Sequence, residues 1–303
     1  MSITTKKVFI IDASIYFFRA YFAVSYEHKS KSSHDVAATL SYARWLFSLI
    51  EHNSPQFIVV CFDESLGSGF RHRIDSDYKA NRALPDDALA YQLLASKKLT
   101  ELAGVTCYAS SEFEADDLIA SVYSNSINRG LEPIVVSADK DLSQLLSDSQ
   151  GLYWDYPKKT AMNKTDLSKL RGFPIDRMPL YLALVGDASD NIQGVPGVGD
   201  KTASALLANY CDWADVLANL DELQGLPIRS AKKLKALFIE YTPTIEKNLR
   251  LTQLRHDALD QDNIHLRKGV GDAAALKYLL LEFNAPKSLI NTLTKVNYEN
   301  NCR

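Results

Sequence analysis

Three short apolar runs, each closing on an aspartate, restrict this chain more than any other feature. They are Lys7-Val8-Phe9-Ile10-Ile11-Asp12, Gln56-Phe57-Ile58-Val59-Val60-Cys61-Phe62-Asp63 and Glu132-Pro133-Ile134-Val135-Val136-Ser137-Ala138-Asp139. Runs this apolar, without alternation, belong to strands covered on both faces, which is the condition of a parallel sheet. Helical patterns lie between them at 36–50, 86–102 and 115–128. The alternation predicts an α/β fold, a mostly parallel sheet flanked by helices. Ligands of such sheets bind beyond the carboxyl ends of the strands, so Asp12, Asp63 and Asp139 are expected to converge on one rim.

Past about residue 175 the strand signal ends. The rest reads as mostly helical, with glycine punctuation at Gly194, Gly197 and Gly199. The expected division is an α/β domain over 1–175 and a smaller helical domain over 176–303, with Asp187 and Asp190 placed so that both parts share the site. A chain of 303 residues has room for this pair. The segment 64–85 fits neither strand nor long helix and reads as a functional excursion.

A formal net charge of −3 excludes a uniformly cationic coat, yet an acidic site and a local basic surface can cancel in that sum. The cysteines Cys61, Cys107, Cys211 and Cys302 contain no C-x-x-C pair and read as reduced thiols. The apolar stretch 8–24 is broken by Asp12 and Arg19, so it is neither a membrane span nor a secretory signal. A cytoplasmic protein is expected.

Further acids cluster in Glu114-Ala115-Asp116-Asp117, Ala138-Asp139-Lys140-Asp141 and Gly186-Asp187-Ala188-Ser189-Asp190-Asn191. Taken singly, the first two are acids at helix starts, where the dipole favours them, and the third is a solvated turn. Taken together, Asp12, Asp63, Glu114, Asp116, Asp117, Asp139, Asp141, Asp187 and Asp190 are too many like charges for one rim unless cations neutralise them. Oxygen ligands select Mg²⁺ or Mn²⁺, and no His/Cys cluster suggests zinc. Two ions about 4 Å apart, clamping a phosphodiester, account for the number of acids.

Two other segments have two readings each. Phe70-Arg71-His72-Arg73 and Tyr78-Lys79-Ala80-Asn81-Arg82 supply cations for phosphate and an aromatic for base stacking; alternatively they form a solvated face, diluted by Glu64, Asp75 and Asp77. The turn Gly194-Val195-Pro196-Gly197-Val198-Gly199, followed by Asp200-Lys201-Thr202 and an apolar helix over 205–210, matches neither a dinucleotide fingerprint nor a P-loop. It exposes backbone N–H groups to a phosphate, or simply joins two helices tightly.

These motifs, in this order from about Lys7 to Tyr210, resemble the 5′ nuclease family: the 5′→3′ exonuclease domain of bacterial DNA polymerase I, phage flap endonucleases and stand-alone bacterial exonucleases. The resemblance implies a PIN-like α/β domain followed by a helix–three-turn–helix domain over about 180–255. It implies one ion held chiefly by Asp12, Asp63, Glu114, Asp116 and Asp117, and a second held by Asp139, Asp141, Asp187 and Asp190, often through water. The segment 64–85 would form a helical arch over a 5′ single strand. Lys79 and Arg82 would grip the scissile phosphate, supported by Arg71 and Tyr78, with Arg19 near the substrate. The glycine-rich turn, with Gly194, Gly197, Gly199, Lys201 and Thr202, would hold duplex backbone and bind K⁺ through carbonyls.

Three departures accompany the resemblance. No polymerase domain follows residue 303, which suggests a stand-alone nuclease. Asp187 and Asp190 are present, whereas some stand-alone relatives have lost the second ion's ligands. The stretch 29–45 lacks glycines common in the family. The expected reaction is hydrolysis of DNA at a 5′ end or 5′ flap by cation-activated water, with Lys79 stabilising transition-state charge, in a monomer. The rivals are a non-catalytic structure-selective DNA binder and a PIN-type ribonuclease. An aspartyl phosphatase is disfavoured because Asp12 is followed by Ala13-Ser14 and not by x-Asp.

Overall fold

The structure, a computed structural model, describes residues 6–65, 67–146, 150–158, 160–229, 231–267 and 269–298, with side chains through Thr292. Cys302 lies outside the described residues; Cys61, Cys107 and Cys211 are free thiols. In chain order the elements begin β1 (Lys7–Asp12), α1 (Ala13–Ala23), α2 (Ala37–Asn53), β2 (Phe57–Asp63), α3 (Phe70–Ile74), α4 (Asp87–Leu102), β3 (Thr106–Ser110), α5 (Ala115–Asn128) and β4 (Glu132–Val136). They continue with β5 (Leu152–Trp154), α6 (Lys164–Arg171), α7 (Met178–Val185), β6 (Gly186–Asp187), β7 (Ile192–Gln193), α8 (Asp200–Asn209), α9 (Trp213–Ala218), α10 (Ala231–Thr252), α11 (Ala273–Glu282) and α12 (Lys287–Tyr298).

Two compact units interleave along the chain. One comprises residues 1–64, 84–138 and 256–303, the other 65–83 and 139–255. The division expected at 175 follows the end of the strand pattern. Packing groups the chain differently, because contacts distant in sequence draw 65–83 and 139–175 to the later helices.

In the first unit the strands run in the order β3-β2-β1-β4, all parallel. Ile10 sits between Val59 and Val135, and all three are fully buried. α5 packs on all four strands and α1 on β2. Both faces are thus covered, which explains why these strands carry no polar alternation. Each such aliphatic side chain contributes roughly 1.5–3 kcal/mol by leaving water. The third run is shorter than its pattern suggested: β4 stops at Val136, so Asp139 lies three residues beyond the strand end. At the opposite, amino-terminal edge, Phe57 forms an antiparallel bridge with Arg267, and the Ile58 N–H donates to the Leu266 carbonyl at 3.0 Å.

The second unit is mostly helical, with α7 packed on α8 and α10. Strand structure does recur past 175, as the two-residue antiparallel hairpin β6–β7. Its two ends approach so closely that a side chain at Gly194 would strike the Val185 carbonyl, and Gly186 has φ +85°. α8 starts at Asp200, five residues before the expected helix: Gly199 is extended, and an acid follows in the first turn. The excursion after Asp63 contains one short helix, α3, and then turns.

Candidate active site

The first unit gathers five of the expected acids at strand ends and a helix start. Asp12 closes β1 and Asp63 closes the adjacent β2. Asp12 is buried. Its Oδ2 accepts from the Ser137 hydroxyl at 2.7 Å, and its Oδ1 from the Ile15 amide at 3.2 Å. The Asp63 amide donates to Ser14 Oγ at 3.2 Å. Glu114 caps α5, and its amide donates to Asp117 Oδ2 at 3.2 Å. Glu114 and Asp117 are buried while Asp116 is half-buried. The helix-start explanation is therefore correct for this quartet, and it is compatible with a site: the cap fixes the carboxylates where helix N–H groups offset their charge. Arg19 is exposed on α1 above the Tyr16 ring, 5.5 Å from its centroid.

The second unit holds the other four acids in two differently treated pairs. Asp139 caps a 3₁₀ turn over Lys140–Leu145, accepting from the Asp141 amide at 2.9 Å. Burial raises the Asp139 pKa, with Asp190 adding to it. Burial, then the like charges of Asp139, Asp187 and Asp190, push Asp141 up to about 7 against the pull of Lys140. Asp141 Oδ1 is buried without a hydrogen-bond partner. At Asp187, burial pulls upward but hydrogen bonds win. The Ser189 hydroxyl and amide donate to Oδ1 at 2.6 and 2.7 Å and Lys140 Nζ lies 3.5 Å from Oδ2, so its pKa is held below the ordinary value.

Asp190 is enclosed by the basic segment. Tyr78 Oη donates to its Oδ2 at 3.0 Å, Lys79 Nζ lies 3.8 Å away, and Arg82 pairs with Oδ1 at 2.5 Å. Further hydrogen bonds to backbone carbonyls reinforce the contact: the Lys79 N–H donates to Asp190 at 2.9 Å, the Asn81 side-chain amide to Ala188 at 2.8 Å, and the Asn191 side-chain amide to Asp77 at 2.7 Å. Lys79 and Asn191 both hold positive φ, +54° and +56°. Such backbone costs of order 1–3 kcal/mol each and persists only where surrounding contacts enforce it.

Two expected DNA contacts are placed differently. Tyr78 is buried, packed with Ile192, Leu251 and Ile74, so its ring offers no face for base stacking. Arg71 is buried too. Its Nε donates to the Leu251 carbonyl at 2.7 Å and its guanidinium lies over the Phe70 ring. It satisfies the carboxyl end of α10, where helix carbonyls lack partners. In the glycine-rich turn, Gly194 is required by packing. Gly197 (φ +81°) and Gly199 open onto free space, with Lys201 and Thr202 in the first turn of α8 behind them.

Patterning missed the residues that hold these acids: Ser14, Ser137 and Lys140, and Gln144, whose amide donates to the Asp141 carbonyl at 2.9 Å. The only sequence signal for the serines and lysine is their position beside strand-end or turn acids. As placed, no three His, Cys, Asp or Glu among the described residues form a ready-made metal cage; the acids take up the chain's own donors instead. The donor chemistry nevertheless suits a hard divalent cation. It is all oxygen, with one buried carboxylate oxygen orphaned amid like charges.

Comparison with known proteins decides the family. The family described as 5′-3′ exonuclease, N-terminal resolvase-like domain, matches residues 7–171, and 5′-3′ exonuclease, C-terminal SAM fold, matches residues 173–268. The chain belongs to the 5′-3′ exonuclease family. It is accordingly a nuclease, a hydrolase of phosphodiester bonds, and the non-catalytic alternative is disfavoured. A 5′-3′ exonuclease of Aquifex aeolicus (strain VF5) is 31% identical over 294 residues, 96% of either chain. In fold the nuclease is similar to T5 5′-exonuclease with divalent metal ions (zinc) bound: TM-score 0.64, 20% identity, 97% of this chain and 99% of that one. It is also similar to the catalytic core of Rad2 in complex with DNA substrate: TM-score 0.63, 16% identity, 97% and 93% covered. No helix among the described residues is long and apolar enough to cross a membrane.

Proposed function

We propose that this exonuclease-family member hydrolyses DNA at 5′ ends and 5′ flaps, using divalent cations held by two carboxylate sets. Asp12, Asp63, Glu114, Asp116 and Asp117 form one set; Asp139, Asp141, Asp187 and Asp190 form the other. The observation that carries this reading is Asp141, whose buried Oδ1 has no partner while three other aspartates raise its pKa. A fold retains so costly a group where a cation completes it. Mg²⁺ or Mn²⁺ suits these donors, and bound cations supply the Lewis acidity that activates water and offsets charge building on the phosphoryl group.

The chain's own residues do the rest. Ser137 and the Ile15 amide orient Asp12. Ser189 and Lys140 orient Asp187. Lys79 and Arg82 lie against Asp190; were that carboxylate to hold a cation, both would be free to bind the scissile phosphate through charge-assisted hydrogen bonds. Arg71 and Tyr78 act on the substrate only indirectly, by fixing the segment that carries Lys79. Arg19 contacts the strand. Gly197, Gly199, Lys201 and Thr202 receive the duplex backbone, with K⁺ at the turn's carbonyls. The working division follows the family domains, an α/β nuclease domain before about 175 and a duplex-binding domain after it that also supplies Asp187 and Asp190, in a cytoplasmic monomer.

The test is a 5′-labelled DNA flap incubated with purified protein in Mg²⁺ and in EDTA, beside an RNA flap. Cation-dependent cleavage of DNA near the junction is expected. Tight binding with no cleavage in Mg²⁺ or Mn²⁺ would retire the proposal, and preferential RNA cleavage would favour the ribonuclease reading.

A further inference from the structure

A cavity of about 700 Å³ lies at the amino-terminal edge of the parallel sheet. It is lined by Lys6, Phe57, Arg129, Asp262, His265 and Arg267 among others. Lys6 precedes β1, Phe57 opens β2, and Arg129 and Gly130 lead into β4, so the cavity faces away from the strand ends that carry Asp12 and Asp63. Six residues of β1 at roughly 3.3 Å each separate the two edges by about 20 Å. The cavity is thus a feature independent of the carboxylates, and its volume falls within the range of roughly 300–1,000 Å³ usual for ligand sites.

Its charge is the opposite of the chain's. In a protein of net charge −3, this lining sets two arginines and a lysine against one aspartate. Among the described residues none of Lys6, Arg129 and Arg267 is ion-paired. Both guanidinium groups are fixed by contacts that leave their charge unspent. Arg129 Nη2 donates to the Ile264 carbonyl at 3.1 Å, and Arg267 lies over the Phe57 ring, 5.8 Å from its centroid. The bridge between Phe57 and Arg267 anchors the second of these. Gly130, at φ +67° with open space around it, brings bare backbone to the rim. Cations held in place by neutral partners around a concave surface are preorganised for an oxyanion, and a guanidinium fork matches phosphate geometry.

We infer that this cavity is a second binding site, specific for phosphate groups, through Arg129, Arg267 and Lys6. Two sources share that chemistry, a free nucleotide-sized ligand and the backbone of a nucleic-acid strand. The test is isothermal titration of the full chain in EDTA with pyrophosphate, with deoxyadenosine 5′-monophosphate and with a short DNA oligonucleotide. It is run on wild type, Arg267→Gln, the double variant Arg129→Gln/Arg267→Gln, and Lys79→Ala. Arg267→Gln removes no hydrogen bond to another element, so it tests the site even where the double variant folds poorly.

A loss of at least tenfold in pyrophosphate and mononucleotide affinity in the Arg267 variants, with Lys79→Ala binding like wild type, supports the site with a free ligand. The same loss confined to the oligonucleotide supports it with a strand as the source. No detectable binding by wild type, or affinities unchanged in the Arg267 variants, overturns it.

Discussion

The two acidic pairs of the second unit meet the same electrostatic problem in opposite ways. Asp187 and Asp190 are answered locally, by Ser189, Lys140, Tyr78, Lys79 and Arg82. Asp139 and Asp141 are answered incompletely: both pKa values are raised by burial and like charge, and one oxygen of Asp141 has no partner. Hydrogen bonds from Ser189 and the nearby Lys140 hold Asp187 charged without any added cation. The unsatisfied pair costs stability until something positive arrives, which is the signature of a functional group and not of a structural one.

That contrast can be broken by experiment. The largest effect is expected on turnover. Asp141→Ala and Asp187→Ala should each lower cleavage of a labelled flap by about 100-fold, the upper end of the loss when residues of a metal site are disturbed, with duplex binding nearly intact. Equal loss of binding and cleavage would mark a folding defect. Lys79→Ala should lower turnover about 100-fold, the usual loss for a removed transition-state donor; unchanged turnover would remove Lys79 from the chemistry.

The next effect separates the pairs by stability. In EDTA at pH 7.5, Asp141→Asn should melt higher than wild type and Asp187→Asn lower. Added Mg²⁺ should raise the wild-type melting temperature more than that of Asp141→Asn. The pH dependence follows with a definite sign. Asp141 has a folded pKa of about 7 against an ordinary 3.8. Its contribution to the metal-free fold is therefore complete below about pH 4 and lost as pH rises through 7. Asp187, held below the ordinary value, behaves in reverse, its contribution present above pH 4 and lost on acidification. Melting curves of wild type and Asp141→Asn should diverge between pH 4 and 7.5; parallel curves would refute the assignment. The smallest effect belongs to Tyr78→Phe, which removes one hydrogen bond to Asp190 and should cost about 1 kcal/mol in denaturant unfolding.

Much of this was legible in the chain itself. The three apolar runs announced a doubly covered parallel sheet, because burial on both faces removes polar alternation within a few residues. Glu114 and Asp117 announced a helix start, because capping is a matter of three or four consecutive positions. The strand-end acids Asp12 and Asp63 needed no more than these local signals.

What only the tertiary structure decided concerns residues far apart in sequence. Tyr78 and Arg71 look like surface aromatics and cations beside an acidic motif. They become buried because segments more than 100 residues later, at Ile192 and Leu251, close over them. The interleaving of the two units has the same origin. So does the contrast between satisfied and unsatisfied acids, which is set largely by whether Lys79, Arg82 or Lys140 can reach a given carboxylate. Local pattern determines which elements form and where charges sit along them. Which charges are answered depends on distances in space, and those exist only once the chain has folded.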